Sequence, residues 1–303
     1  MLHLVAHSVP PGWLFRDWHE ANELWRRLEA LGPARAIALM PDHVHYVTRS
    51  ILWEAWLGAL GGYARWRNHH RGEIGRCVFL PAPPPETLEN SKHIDRTIRY
   101  THLNPCRDRL ADDPLAWAFS THRDAVGLAI PGVVAPTLRP ARFHAYVSGD
   151  PSVHPDGTDL PFGLHGLRDP TVEQIADAIS ALTRTMVVDL YRRGPARTLF
   201  VQALAACTPM STRQIAAQFG MAHSSVVGTP PIPNTSLTKV ERVLGDVRFA
   251  ALQDGNLTQT RAWRAYHWNR ERKGIHTLLV KNAAAQLRRR RMDKRPAHLL
   301  GLL

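Results

Sequence analysis

The chain has 303 residues, a hydrophobic fraction of 44%, a formal net charge of +12 and a pI of about 10.3. This length allows two modest domains with hydrophobic cores, and no apolar run approaches the roughly 20 residues that a transmembrane helix needs. The N-terminus has no basic leader and meets Pro10 almost at once. We therefore expect a cytoplasmic protein without a signal peptide and without a membrane partner.

The positive charge is concentrated at one end of the chain. Residues 257–303 contain 12 Lys or Arg and 2 Asp or Glu. Residues 1–150 are nearly balanced, with 17 Lys or Arg and 15 Asp or Glu. A basic tail favours a polyanionic partner such as nucleic acid. Because such a tail binds phosphates without sequence preference, it identifies no chemistry.

The first third of the chain alternates strand and helix patterns. Residues 2–8 predict a short strand, and residues 17–32 predict an amphipathic helix with Asp17 as its N-cap. A second strand begins near Arg35, and a second helix is expected over residues 51–68. Residues 75–80 are a further strand candidate before the proline-rich stretch that follows.

Two histidines, His43 and His45, lie one residue apart in an apolar and β-branched run that Pro41 opens. Strand side chains alternate between faces, so both imidazoles are expected on one face, which is the geometry of a two-histidine metal site. Taken alone, the pair is more readily explained by chance, because the chain contains 17 histidines.

A third helix is predicted from near Glu89 to Pro105, since the residue before a proline disfavours helical geometry. Tyr100 and Asn104 lie four residues apart in it and therefore project from the same face. Two imidazoles and one amide oxygen make half of an octahedral site for Mg²⁺ or Mn²⁺ and leave positions for phosphate oxygens. Tyr100 would supply the nucleophile, and a phenol needs assistance from a metal-bound phosphate or a base near neutral pH.

The second half of the chain has helical patterns. Residues 131–165 predict a linker, and helices are expected over residues 171–192 and 237–252. Residues 211–227 have the pattern of a helix-turn-helix with its turn at Gly220. We expect its DNA contacts at Arg213, His223, Ser224 and Ser225. The alternative is an ordinary pair of antiparallel helices.

The basic tail combines aromatic and cationic residues. Arg288, Arg289, Arg290 and Arg291 form a run that we expect to contact phosphates. The aromatic residues Trp263, Tyr266 and Trp268 lie among further arginines. They would either stack on bases or pack against the domain, and the sequence favours neither interpretation.

Two segments resemble a known family. Residues 38–45, ALMPDHVH, are similar to the MPNHVH signature of HUH transposases, and residues 99–107, RYTHLNPCR, are similar to their RYIHLNPVR segment. Within that family the likeness is to the REP-associated tyrosine transposases. It extends over roughly residues 1–150 and includes residues 117–123, which resemble a WSSYR stretch. The helix-turn-helix resembles, more weakly, the DNA-binding domain of the replication initiator DnaA.

The resemblance implies an antiparallel sheet flanked by helices for the first domain. Together with the patterns of the second half, we expect an α+β fold in which this domain precedes an all-α helix-turn-helix domain and a basic tail. On this basis we expect a catalytic domain at residues 1–130, a linker at 131–165, a helical domain at 166–256 and a basic segment at 257–303.

The implied activity is cleavage and rejoining of single-stranded, hairpin-forming DNA through a 5′-phosphotyrosine on Tyr100, without a nucleotide cofactor. His43, His45 and Asn104 would be the ligands of Mg²⁺ or Mn²⁺. The expected partner is DNA, single-stranded or hairpin, with duplex DNA as a further partner of the C-terminal domain. The oligomeric state is left open.

The sequence departs from the family at two places. Asp42 stands where asparagine is usual, and we favour a capping role at the start of the strand over a position near the metal. The arginine that the family usually has after the second helix is missing, and the chain has Leu80 to Pro85 there. We expect this departure to affect DNA handling more than chemistry. Two other functions fit the composition: a domesticated sequence-specific DNA-binding protein or regulator without transposition activity, and an RNA-binding protein with a basic tail.

Overall fold

The computed structural model describes residues 1–10, 12–50, 53–155, 170–244, 246, 248–253, 257, 263 and 266. In this part of the chain, a four-stranded antiparallel sheet is combined with ten α-helices, so the fold is α+β. No helix among the described residues is long and apolar enough to cross a membrane.

The sheet has the strand order β2, β3, β1, β4. Its strands are β1 (Leu2–His7), β2 (Ala34–Leu39), β3 (His43–Thr48) and the short β4 (Glu86–Thr87). The strand expected at residues 75–80 is reduced to a single bridge between Ser8 and Phe79. Ladder pairing resumes only after the proline-rich stretch, because prolines have no backbone N–H to donate.

One face of the sheet carries the apolar core of the N-terminal half. Helices α1 (Trp18–Glu29) and α2 (Trp53–Arg71) contribute to this core, and the Asp17 side chain accepts a 2.8 Å hydrogen bond from the backbone N–H of Glu20. The predicted N-cap is therefore confirmed. Sheet and helices meet in a buried cluster that includes Leu4, Leu24, Trp25, Ile37, Leu39, Val44, Tyr46, Trp56 and Tyr63.

The opposite face of the sheet is covered by α3 (Ser91–Arg107). The expectation that Pro105 ends this helix is wrong, because the helix continues through Pro105 to Arg107. A proline inside a helix lacks the N–H donor and crowds the carbonyl four residues before it, but this proline lies in the last turn. There the helix end is closed by backbone hydrogen bonds from Asp108 to Asn104 and from Leu110 to Pro105. Asn104 consequently lies inside a regular helix rather than at its frayed end.

The C-terminal half is helical and has a second core, to which α6 (Val172–Thr183), α7 (Pro195–Cys207) and α10 (Asn234–Val243) contribute. The expected helix over residues 171–192 is interrupted after α6, where Arg184 adopts the left-handed conformation (φ 52°), and resumes as a 3₁₀-helix at Val187–Tyr191. The remaining helices are α4 (His122–Ala125), α5 (Pro140–Ser148), α8 (Thr212–Gln218) and α9 (His223–Val227). Helix α5 lies inside the stretch that we predict as a linker.

A buried arginine connects the two halves. The Arg184 guanidinium forms an ion pair with Asp124 and donates hydrogen bonds to the carbonyl oxygens of Ala118 (2.7 Å) and Ser120 (3.0 Å). Both side chains of the ion pair are almost entirely buried. The residue that interrupts the helical pattern after α6 therefore anchors the helical half to the N-terminal half.

Candidate active site

Four imidazoles lie on one face of the central strands. His43 and His45 project from β3, and His7 of β1 is directly paired with His43 in the strand register. The ring centroids of His7 and His43 are 5.4 Å apart, and those of His3 and His45 are 5.2 Å apart. Sequence reasoning identified only the β3 pair. The signal for the others is the spacing of His3 and His7, which places them on one face of a strand.

His43 is held on both sides of its ring. Its Nδ1 nitrogen lies 2.7 Å from a carboxylate oxygen of Asp42, and its Nε2 nitrogen accepts a 2.8 Å hydrogen bond from the Asn104 amide. The same Asp42 oxygen accepts a hydrogen bond from the hydroxyl of Tyr266. The favoured interpretation of Asp42 as a strand cap is therefore wrong, because its carboxylate fixes the orientation of a histidine in the candidate site.

Among the described residues, the His45 ring is hydrogen-bonded through one of its two nitrogens. Its Nδ1 nitrogen lies 3.0 Å from Nε2 of His3, whose other nitrogen lies 3.1 Å from a carboxylate oxygen of Glu86. The Nε2 nitrogen of His45 is buried and has no hydrogen-bond partner among the described residues. Burial, followed by the neighbouring His43, His3 and His7, holds the pKa of His45 well below its usual range. The imidazole is therefore neutral near pH 7 and offers a lone pair.

Tyr100 lies beside this pair on α3. Its ring meets that of His45 edge-on, with centroids 5.3 Å apart, and 39% of the residue is exposed. The Arg107 guanidinium lies 4.9 Å from the centroid of the Tyr100 ring. The structure thus brings together the four predicted residues of the site, and Tyr100 is the member that remains accessible from outside.

The donor set fits a divalent cation. The buried Nε2 of His45, the Nε2 of His43 and the side-chain amide of Asn104 are nitrogen and oxygen ligands of the types that transition metals and Mg²⁺ accept. Rotation of the Asn104 amide by 180° presents its oxygen in place of its nitrogen. The hydrogen bonds on Nδ1 of both histidines are the outer contacts that typically orient metal-binding imidazoles.

A second group of potential ligands has a different role. Asp17, Glu20 and His70 place ligand atoms within 4.8 Å of one another. The Glu20 carboxylate, however, pairs with the Arg71 guanidinium and also accepts from the backbone N–H of Arg16. A protein cation already neutralises this carboxylate, so the group is best explained as an ion pair that joins α1 to the end of α2.

The predicted DNA contacts of the helical half lie on the surface. Arg213 is exposed on α8, and His223, Ser224 and Ser225 are exposed on α9. Gly220 has a φ of 56° in the turn between the two helices, and the Thr212 hydroxyl lies 2.8 Å from Nε2 of His223. Binding of DNA by this pair of helices stays a prediction. Arg288, Arg289, Arg290 and Arg291 lie outside the described residues.

Two aromatic residues of the tail pack inward. Trp263 and Tyr266 are each 3% exposed, and their rings lie 5.4 and 5.7 Å from the ring of Trp13. The backbone N–H of Leu257 also donates a 2.8 Å hydrogen bond to the carbonyl of Arg16. Of the two interpretations of the tail aromatics, packing against the domain is confirmed for Trp263 and Tyr266.

Comparison with known proteins yields a distant likeness to one solved structure. No family profile matches the sequence, and no curated protein is detectably similar to it. The structure of a REP-associated tyrosine transposase bound to a REP hairpin aligns with 41% of this chain and 77% of its own, at 17% sequence identity and a TM-score of 0.33. Similarity at this level does not establish membership of that family.

Proposed function

We propose that the chain is a metal-dependent transposase or nickase that cleaves and rejoins single-stranded, hairpin-forming DNA through a covalent 5′-phosphotyrosine. The observation that carries the proposal is the position of an accessible tyrosine beside two metal-competent imidazoles. The Tyr100 ring lies 5.3 Å from that of His45, whose buried Nε2 has no partner among the described residues. The proposed substrate is DNA, and we expect the protein to act in the cytoplasm.

In this proposal His43 and His45 would hold Mg²⁺ or Mn²⁺ through their Nε2 nitrogens, and Asn104 would hold it through its amide oxygen. When bound, the ion would polarise the scissile phosphodiester and offset the charge of the transition state. Asp42 and His3 keep the two imidazoles in the orientation and tautomer that a cation requires.

Tyr100 is the nucleophile of the proposed reaction. Its phenolic oxygen loses a proton and forms a bond to phosphorus, while the bond to the 3′ oxygen breaks and that oxygen gains a proton. The phosphate remains attached to the tyrosine at the 5′ end of one strand segment, and the other segment ends in a free 3′-hydroxyl. Because one phosphoester replaces another, rejoining is the reverse reaction and needs no nucleotide cofactor.

Arg107 supports the proposed reaction through its position beside Tyr100. Its guanidinium lies over the Tyr100 ring, so it restricts the ring and places a positive charge beside the nucleophile. A cation at this point favours the approach of a polyanionic strand.

The proposal is tested by incubating the purified protein with single-stranded hairpin DNA and Mg²⁺ or Mn²⁺. We expect a protein–DNA adduct that survives a denaturing gel. Chelation of the metal should abolish the adduct, and the Tyr100→Phe variant should not form it. A wild-type protein that binds the hairpin as well as Tyr100→Phe does, but forms no adduct, would be a DNA-binding regulator and not an enzyme.

A further inference from the structure

A groove of about 510 Å³ lies between α3 and α5, outside the candidate active site. Asp95 and Ile98 line it from α3, and Arg142 and Tyr146 line it from α5. Arg139, at the N-cap of α5, is also part of the lining.

Two cations, Arg139 and Arg142, line the groove together with one carboxylate, Asp95, and Arg99 lies beside the lining, over the Tyr146 ring. In the part of the chain that the structure describes, no carboxylate forms an ion pair with Arg99, Arg139 or Arg142, although Asp95 is a neighbour on the lining. The Nε of Arg99 is buried without a hydrogen-bond partner among the same residues. The first turn of α5 has no side-chain cap, and its backbone N–H groups add to the positive potential at this end of the groove.

An exposed aromatic ring completes the groove. Tyr146 is 45% exposed, and the Arg99 guanidinium lies 5.4 Å from the centroid of its ring. A ring that a guanidinium restricts while much of it stays open to solvent is a platform on which an unpaired base can stack. Bases inside a duplex are stacked on one another and do not offer their faces in this way.

The groove and Tyr100 lie on different sides of α3. At 3.6 residues per turn, Ile98 and Tyr100 project about 200° apart around the helix. The outward face between them carries Lys92, Arg96 and Arg99, of which Lys92 and Arg96 are exposed. Cationic side chains of α3 therefore lie between the candidate nucleophile and the groove, and Asp95 is the acidic residue at the edge of the groove.

We propose that this groove binds the single strand of DNA that continues from the scissile phosphate, with one unpaired base on Tyr146 and the adjoining phosphates at Arg139 and Arg142. The direction of the strand rests on the proposed function, whereas binding in the groove does not. The groove is thus a site for flanking single-stranded DNA, separate from the metal and nucleophile site.

The test measures binding in full-length Tyr100→Phe protein, in which no covalent adduct can form. The probes are a fluorescein-labelled oligodeoxythymidylate and a blunt duplex of the same length, followed by fluorescence anisotropy. We expect Tyr146→Ala to weaken binding of the oligodeoxythymidylate about tenfold, and Tyr146→Phe, which retains the ring, to bind as the parent does. Duplex binding should change little in either variant.

The arginines are tested by salt dependence. Replacing both Arg139 and Arg142 by Gln should lower the slope of log affinity against log salt by about 1.4, the value for two phosphate contacts on a single strand. Arg35→Gln removes a charge from an exposed position on β2 and is the matched control, which should leave oligodeoxythymidylate binding unchanged. Since these side chains are exposed, thermal unfolding is expected to show that all variants fold.

The outcomes separate this inference from the proposed function. If the wild-type protein forms the tyrosine adduct while the groove variants bind the oligodeoxythymidylate as the parent does, the groove assignment is wrong and the enzyme assignment stands. If no adduct forms but the groove variants lose binding of the single strand, the groove assignment stands alone. Equal losses for single strand and duplex would overturn the assignment to unpaired DNA.

Discussion

The Nε2 nitrogen of His3 lies 3.0 Å from the Nδ1 nitrogen of His45, while Nδ1 of the same His3 lies 3.1 Å from the Glu86 carboxylate. An ionised carboxylate only accepts, so Nδ1 of His3 donates to Glu86, and Nε2 of His3 can accept a hydrogen bond from the Nδ1–H of His45. This arrangement leaves the lone pair of His45 on Nε2, the atom proposed to bind the metal.

We expect His3→Ala to weaken binding of Mn²⁺ by about 10- to 100-fold, because His45 loses the acceptor that fixes its tautomer. The loss should be seen by calorimetric titration and as a higher Mn²⁺ concentration for half-maximal adduct formation. His93→Ala is the matched control, since Nε2 of His93 also lies near the Glu86 carboxylate (3.5 Å), whereas the acceptor for the hydrogen bond of His45 is His3. Equal Mn²⁺ affinity in His3→Ala and wild type would remove His3 from the site.

The Asp42 carboxylate contacts both the His43 ring and the Tyr266 hydroxyl. Asp42→Ala removes these two buried hydrogen bonds, and we expect a loss of about 1–3 kcal/mol in the free energy of unfolding for each. Asp42→Asn keeps one acceptor oxygen and should lose less stability, while its Mn²⁺ affinity still falls because the charge behind His43 is gone. Urea unfolding and Mn²⁺ titration measure the two effects separately. An Asp42→Ala protein as stable as Asp42→Asn would contradict the double role.

A buried histidine cluster should make the fold acid-sensitive. His122 is fully buried, with Nε2 2.9 Å from Nδ1 of His144, and burial followed by its neighbouring His102 and His144 lowers its pKa well below 6.5. Burial also lowers the pKa of His102 to about 4. Both side chains are neutral in the folded protein near pH 7, and in the unfolded chain they bind protons at a higher pH than in the folded protein. The free energy of unfolding is therefore at its full value above about pH 6.5 and falls as the pH drops towards 4.

Each such histidine adds a slope of up to about 1.4 kcal/mol per pH unit to the free energy of unfolding in this window. Urea unfolding at a series of pH values measures the slope. His122→Asn removes the titrating ring and should flatten the curve, whereas His19→Asn, which replaces a histidine of α1 outside this cluster, should not. A slope that is unchanged in His122→Asn would mean that other groups cause the acid sensitivity.

The ion pair of Arg184 with Asp124 is the strongest candidate for a stability determinant between the two halves. Arg184→Met leaves the buried Asp124 carboxylate without its cation, and we expect unfolding to become easier by about 3–5 kcal/mol. Arg192→Met is the control, because Arg192 pairs with Asp189 at 2.8 Å with 76% of its side chain exposed, and such pairs contribute about 0–1 kcal/mol. The double variant Arg184→Met with Asp124→Leu should recover part of the loss, and no recovery would point to the lost carbonyl hydrogen bonds instead.

The local parts of the site could be predicted from the sequence, whereas its distant partners could not. The alternation of a strand places His43 and His45 on one face, and helical spacing places Tyr100 and Asn104 together, because both relationships depend on neighbours in the chain. The roles of His3 and Glu86 depend on the register of β1 against β3 and β4, which no local pattern specifies. Tyr266 reaches Asp42 across 224 residues of sequence, through packing of the tail that periodicity cannot reveal.

The hydrogen bond between Tyr266 and Asp42 also has a consequence for synthesis of the protein. A ribosome completes the sheet, α3 and all four predicted site residues long before it adds Tyr266. Until then, the carboxylate that orients His43 lacks the hydrogen bond from Tyr266, and the aromatic contacts of Trp13 with Trp263 and Tyr266 do not exist. The site therefore gains this part of the support of His43 only after the segment that contains Tyr266 has been translated.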